Sequence, residues 1–167
     1  ITNIAGNVAQ QEKRVAIFSY ECTPRELVEM LIARHSGVNS EVFEYYKKGS
    51  LPPEQIAKIK NTAREYVAQL PIIMEYAKHP EMDYILGRVN QLKCQFPDLS
   101  LVVIDCLQSF RVDDPKRQTK ADLYEDVATQ LKQKISSQLG VTTLLTSQLA
   151  VNRLPVRTKR PSKVEHV

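Results

Sequence analysis

Three polar side chains stand where short apolar runs end: Glu21 after "RVAIFSY", Asp105 after "LSLVVI" and Gln148 after "VTTLLTS". Runs of that length, rich in Val, Ile, Leu and Thr, predict buried strands. A carboxylate at the tip of such a strand, as Asp105 would be, suits a Mg²⁺ ion held through water, because Mg²⁺ dehydrates reluctantly. A second carboxylate on a neighbouring strand, Glu21, is placed to orient or deprotonate an attacking water. A side-chain amide on a further strand, Gln148, could sense a terminal phosphate and pass its presence to the loop that follows. The three together suit hydrolysis of a nucleoside triphosphate. Taken alone, each has a plainer reading as a helix cap or a satisfied loop group. Three at corresponding positions favour one shared site.

The elements that must position them alternate. The first ten residues read as helix, with Ile4 and Val8 at helical spacing. A strand from Arg14 follows. The next helix has Thr23 as N-cap, Pro24 at its first position, Glu26 completing a capping box and Gly37 as its stop. "NSEVFEYYKKG" predicts a short helix capped by Asn39 or Ser40 and closed by Gly49. "PPEQIAKIKNTAREYVAQL" predicts a longer amphipathic one with Ile56, Ile59, Ala63, Tyr66, Val67 and Leu70 on one face. "PIIMEY" is a second strand. The helix after it turns Ile85, Val89, Leu92 and Phe96 inward. "SLVVID" is the third strand, segment 108–120 is polar and loop-like, "ADLYEDVATQLKQKISSQLG" is a long helix, and "VTTLLTS" is the fourth strand. Nearly continuous apolar strands alternating with helices predict α/β architecture with a parallel sheet. In such sheets ligands bind beyond the carboxyl ends of the strands, where all three polar residues would stand.

The chain has 167 residues, a length that suits one domain. No apolar run approaches the roughly 18 residues of a membrane span. The start lacks the regions of a signal peptide, so a cytoplasmic protein away from membranes is expected. Cys22, Cys94 and Cys106 are odd in number and lack metal-type spacing, which suggests reduced thiols; Cys106 reads as a core side chain rather than a nucleophile. His35, His79 and His166 are too scattered for a metal site. "EYY" at 44–46 reads as helix packing rather than a base-stacking platform, and Ser147 has no partner pattern for nucleophilic catalysis. Net charge is +4, and its placement matters more than its size. Between Ala150 and Val164 lie Arg153, Arg157, Lys159, Arg160 and Lys163 with no acid. Such a stretch is either a solvated end or a surface for phosphates. No G-x-x-x-x-G-K-[ST] loop occurs in the chain, so the chain alone is expected not to hydrolyse ATP efficiently.

These residues resemble the C-terminal, RecA-like motor domain of DnaB-type replicative DNA helicases. "NIAGNVA" is similar to the helix that follows the family's P-loop, and "VAIFSYECTPRELVEMLIA" to the segment that carries its catalytic glutamate. "GVNSEVFEYYKKGSLPPEQIAKI" resembles the helical insertion, here 39–70. "LVVIDCLQSF" resembles the Walker B segment, where the family more often has Tyr in place of Cys106. "TSQLAVNR" is similar to the "SQL" motif, with "KRP" at the usual distance. The resemblance runs over essentially all of 1–167. It begins a few residues after the P-loop lysine would stand and stops before the arginine-finger segment, so a partial motor domain is expected.

The resemblance implies a three-layer RecA-like P-loop NTPase fold with a mainly parallel sheet flanked by helices. It implies ATP and Mg²⁺ as cofactors, with Glu21 as general base, Asp105 for Mg²⁺ and Gln148 as γ-phosphate sensor. It implies 5′-to-3′ translocation on single-stranded DNA by a ring, usually a hexamer, with nucleotide between subunits, and primase and a helicase loader as possible partners. Two basic loops line the channel of such rings. They correspond to 108–120, with Arg111, Lys116, Arg117 and Lys120, and to 150–163, with Arg153, Arg157, Lys159 and Arg160. Asp113 and Asp114 dilute the first loop, and Val151 stands where the family often has a basic residue. Two alternatives remain at this point: a RecA/RadA-like recombinase-type ATPase, against which the insertion argues, and a truncated, non-hydrolysing paralogue that binds DNA or joins a ring.

Overall fold

The computed structural model describes residues 1–39, 41–76, 80–111 and 119–148. Four strands, β1 (Arg14–Ser19), β2 (Ile72–Tyr76), β3 (Leu99–Asp105) and β4 (Thr142–Leu145), form one sheet in the order β2-β1-β3-β4. Each neighbouring pair is parallel. Every polar backbone group of β1 and β3 can therefore pair on both sides, and their side chains must be apolar on both faces, as their sequences are.

The two faces of the sheet are covered by different helices. Val15 and Ile17 of β1, with Leu101 and Val103 of β3, pack with Ala5 and Ala9 of α1 (Thr2–Ala9) and Leu27 of α2 (Pro24–Ser36). The alternate residues Ala16, Phe18, Val102 and Ile104 face the other way. They meet Ile85, Val89 and Leu92 of the helix Met82–Gln95, and Val127, Leu131 and Ile135 of the last helical segment. The period-2 alternation of side chains in a strand thus splits one apolar run between two cores. The result is the expected α/β arrangement of a parallel sheet flanked by helices.

A smaller core lies outboard of α2. There Ile32 meets Phe43 of α3 (Val42–Lys47) and Ile59 of α4 (Pro53–Glu65). Segment 39–70 therefore packs mainly on α2. Helix Met82–Gln95 is α5, and α6 spans Lys120–Gln130 before widening into a π-helix over Leu131–Ser137.

Helix ends follow local chemistry. Thr23 and Glu26 form the reciprocal capping box, Pro24 opens α2, and Gly37 ends it at φ 67°, the left-handed region that glycine enters without a Cβ penalty.

Several local expectations are corrected. On α1 the buried residues are Ala5, Gly6 and Ala9, while Ile4 is 49% exposed. Small residues let α1 approach the sheet closely; of the two large residues at helical spacing, Val8 packs against this core and Ile4 does not. α4 ends at Glu65, and Val67–Gln69 form a 3-10 turn instead of continuing the helix to Leu70. Glu41 is the N-cap residue of α3, although Asn39 Oδ1 accepts a hydrogen bond from Glu41 N at 3.1 Å; Ser40 lies outside the described residues. The predicted loop 108–120 begins inside a 3-10 turn, Leu107–Ser109, and Lys120 is already the first residue of α6. A capping box of Thr119 and Asp122 starts that helix.

Candidate functional site

The strand tips lie level. Ser19 of β1 is in register with Asp105 of β3, and Ile104 with Leu145 of β4. The ladder continues one step past the strands: Tyr20 N donates to Asp105 O at 2.8 Å, Thr146 N to Ile104 O at 3.1 Å and Leu107 N to Thr146 O at 2.9 Å. These bonds fix the backbone that carries Glu21, Asp105 and Gln148, so the three emerge from adjacent strands at one edge of the sheet.

Asp105 is 7% exposed. Thr146 Oγ1 donates to its Oδ1 at 2.6 Å. Among the described residues its Oδ2 accepts no hydrogen bond, which leaves one carboxylate oxygen for a ligand. No group of three or more His, Cys, Asp and Glu among the described residues could enclose a metal ion. One buried carboxylate with a free oxygen fits a hard cation that keeps most of its water, as Mg²⁺ does.

Glu21 is exposed, and its Oε1 receives two donors. Cys106 Sγ approaches it at 3.2 Å, and Gln148 Nε2 donates to the same oxygen. Among the described residues Oε2 accepts no hydrogen bond, so Glu21 retains an oxygen able to take a proton from water. Glu21 and Gln148 are thus brought together directly. Asp105 joins them through its neighbours: Cys106 follows it in the chain, and Thr146 stands two residues before Gln148.

Electrostatics mark the same spot. Burial pushes the Cys22 thiol up, and the charges of Asp105, Glu26 and Glu21 add to the rise. Cys22 therefore feels both candidate catalytic carboxylates. Its backbone N–H donates to Ser19 Oγ at 3.0 Å, which holds the turn after β1. Burial also raises the Cys106 thiol, against the lowering by its contact with Ser109. Cys106 is buried, in keeping with a core side chain, but its sulfur reaches the carboxylate of Glu21, a role that its place in an apolar run did not suggest.

Two further residues were not singled out by the sequence. Thr146 orients Asp105. Gln108 spans from the turn after β3 to the segment after β4: its Nε2 donates to Ser147 Oγ at 2.8 Å and to Gln148 O at 3.2 Å, and its Oε1 accepts from Gln148 N at 2.9 Å. "TSQL" offered a signal for Thr146, because alternate residues of an extended segment share a face. Nothing local signals Gln108, whose partners lie about 40 positions away.

Of the basic residues, Arg111 and Lys120 are described, and both are exposed. Lys116, Arg117, Arg153, Arg157, Lys159 and Arg160 lie outside the described residues. Among the described residues no helix is long and apolar enough to cross a membrane.

The family model of the DnaB-like helicase C-terminal domain matches residues 1–165. A solved ATPase domain is similar in fold, with a TM-score of 0.79 at 20% identity over 90% of this chain and 52% of that one. A solved DnaB-like replicative helicase, described with its interactions with primase, gives a TM-score of 0.73 at 19% identity over 84% of this chain and 33% of that one. The chain thus spans about half and about a third of the length of these two structures. No curated protein matches significantly. At such identities the two structures speak for the fold alone, that of a RecA-like ATPase domain, while the family model covers nearly the whole sequence. The chain belongs to the DnaB-like helicase C-terminal domain family.

Proposed function

We propose that the chain is the motor part of a replicative DNA helicase, in which ATP hydrolysis between subunits of a ring drives movement on single-stranded DNA and unwinding of duplex. The observation that carries the reading is the convergence of Gln148 and Cys106 on one oxygen of Glu21, beside the buried carboxylate of Asp105. Glu21, with its second oxygen open, accepts the proton of the attacking water. Asp105 would hold Mg²⁺, with Thr146 Oγ1 fixing the orientation of its carboxylate. Mg²⁺ there would neutralise charge on the triphosphate. Gln148 can exchange its bond to Glu21 for one to the γ-phosphate, so nucleotide state reaches the segment after β4. No G-x-x-x-x-G-K-[ST] loop occurs among these 167 residues, and Glu21, Asp105 and Gln148 suit the γ-phosphate end of the nucleotide.

Segment 39–70 is the helical insertion, and 108–120 and 150–163 are the channel loops. Arg111, Lys116, Arg117, Lys120, Arg153, Arg157, Lys159 and Arg160 would grip the sugar-phosphate backbone without reading sequence. A hexameric ring and primase as partner complete the proposal; primase accompanies one of the structures similar in fold.

The test is Glu21→Gln in the full-length protein, with ATP binding, single-strand-stimulated hydrolysis and unwinding of a forked duplex measured together. Binding should persist while turnover falls by about a hundredfold or more. Turnover that survives Glu21→Gln removes Glu21 as base. Robust hydrolysis without unwinding would favour the recombinase-type reading.

A further inference from the structure

We infer that Gln108 is a positioning residue for the ATPase reaction, holding the Gln148 backbone so that its amide stands at Glu21 and within reach of the γ-phosphate. The inference rests on the ATPase reading above and adds a residue to it.

Gln148 Nε2 can reach Glu21 only if the Gln148 backbone is held beyond the end of β4. The ladder does not hold it: the backbone bonds past that strand use Thr146 N and Thr146 O, and Gln148 lies two residues further on. The Gln108 amide supplies the missing support. It pairs with the Gln148 peptide through both of its polar atoms, as a neighbouring strand would, at 2.9 and 3.2 Å. A third bond, to Ser147 Oγ at 2.8 Å, fixes the preceding residue. Gln108 is itself anchored in the Leu107–Ser109 turn, whose Leu107 N donates to Thr146 O. A relay of three side chains results: Gln108 on the Gln148 backbone, the Gln148 amide on Glu21 Oε1, and Cys106 on the same oxygen from beside Asp105. Among the described residues the Gln108 side chain bonds Ser147 and Gln148 and neither Glu21 nor Asp105, so it acts through Gln148. Loss of the clamp lets the Gln148 amide wander from Glu21 and from the γ-phosphate position and costs turnover, while the contacts of the rest of the nucleotide remain to hold it.

The test uses the full-length protein with Gln108→Met, which keeps the length of the side chain without its polar atoms, and Gln108→Glu, which keeps an acceptor for Gln148 N. Ser147 can still donate its hydroxyl to that carboxylate. In Gln108→Met, kcat for ATP should fall about tenfold with KM within about twofold of wild type. In Gln108→Glu, kcat should return to within about threefold of wild type. Hydrogen exchange of the peptide spanning Gln148 should lose protection in Gln108→Met and regain it in Gln108→Glu. Wild-type protein that binds DNA but hydrolyses no ATP would overturn the ATPase reading, with the exchange result still deciding whether Gln108 holds Gln148. Active wild type with an unchanged kcat in Gln108→Met would overturn the inference alone. So would equal losses in Met and Glu variants, or a fall in kcat matched by a rise in KM.

Discussion

Glu21 and Gln148 are separated by 127 positions in sequence and by a whole strand in the sheet, yet Gln148 Nε2 donates to Glu21 Oε1. β3 lies between the strands that carry them, and its first residue beyond the strand, Cys106, donates to the same oxygen. The carboxylate therefore leans across the tip of β3, past Asp105. Removing the amide should release it. In Gln148→Ala of the full-length protein, hydrolysis should fall by about tenfold or more while ATP affinity stays near wild type. Steady-state kinetics with a direct binding assay decides this, and unchanged kcat would dissociate Gln148 from the reaction.

Arg34 of α2 ties down α1. Its Nη1 donates to Asn3 O at 2.9 Å and Thr2 O at 3.3 Å, and its Nη2 donates to Asn7 Oδ1. A Cβ at Gly6 would collide with that guanidinium. Gly6→Ala should raise stability by about 0.5–1 kcal/mol in an Arg34→Ala background, from helix propensity alone. With Arg34 present the gain should vanish or reverse, because the guanidinium must leave its carbonyl partners. Denaturant melts of the four proteins form the cycle. Equal effects in both backgrounds would mean that Arg34 yields at no cost.

His35 predicts an acid-side loss of stability. Its ring lies 3.9 Å from that of Tyr66, centre to centre, and its buried Nε2 has no hydrogen-bond partner among the described residues. Burial, and then the charge of Arg34, lower its pKa below the ordinary 6.5. The unfolded chain thus binds a proton first as pH falls, so this contribution is present above about pH 6.5 and is lost as pH drops through the lowered folded value. His35→Phe keeps a ring against Tyr66 and should flatten the dependence between neutral pH and pH 5. Parallel slopes for the two proteins would remove His35 as its source.

Thr119 and Asp122 cap α6: Asp122 N donates to Thr119 Oγ1 at 3.2 Å, and Thr119 N to Asp122 Oδ2 at 2.9 Å. Thr119→Ala should cost about 1 kcal/mol, read as a shift in the denaturation midpoint, and Thr119→Ser should restore most of it. The bonds from Thr119 hold the Asp122 carboxyl below its ordinary range. Its share of the stability is therefore lost only as pH falls below that range.

DNA binding should carry the signature of phosphate contacts. Affinity for single strands should fall linearly in log–log plots against salt, with each phosphate contact adding about 0.7 to the slope. Arg111→Ala and Lys120→Ala should each flatten the slope by up to that amount without changing sequence preference. A slope unaffected by both would place the strand elsewhere.

The chain order of strands and helices was legible because each element carried its own local signal. Continuous apolar runs fixed β1 and β3, and Thr23, Pro24, Glu26 and Gly37 bounded α2 by bonds within a few residues of one another. The level of the strand tips was legible too, since Glu21, Asp105 and Gln148 each follow a run of similar kind. What the sequence could not reveal depended on partners far apart. The bonds that tie α1 to α2 run to Arg34, about 30 positions away. α4 ends at Glu65, short of its apolar pattern, and a 3-10 turn over Val67–Gln69 leads on towards β2. The two donors on Glu21, the Thr146 bond to Asp105 and the Gln108 clamp on Gln148 exist because the order β2-β1-β3-β4 sets β3 between β1 and β4. Propensity and capping act over a few residues and can be read along the chain. Hydrogen bonds between strand tips act across the sheet, and their partners are chosen only when strand order and register are set.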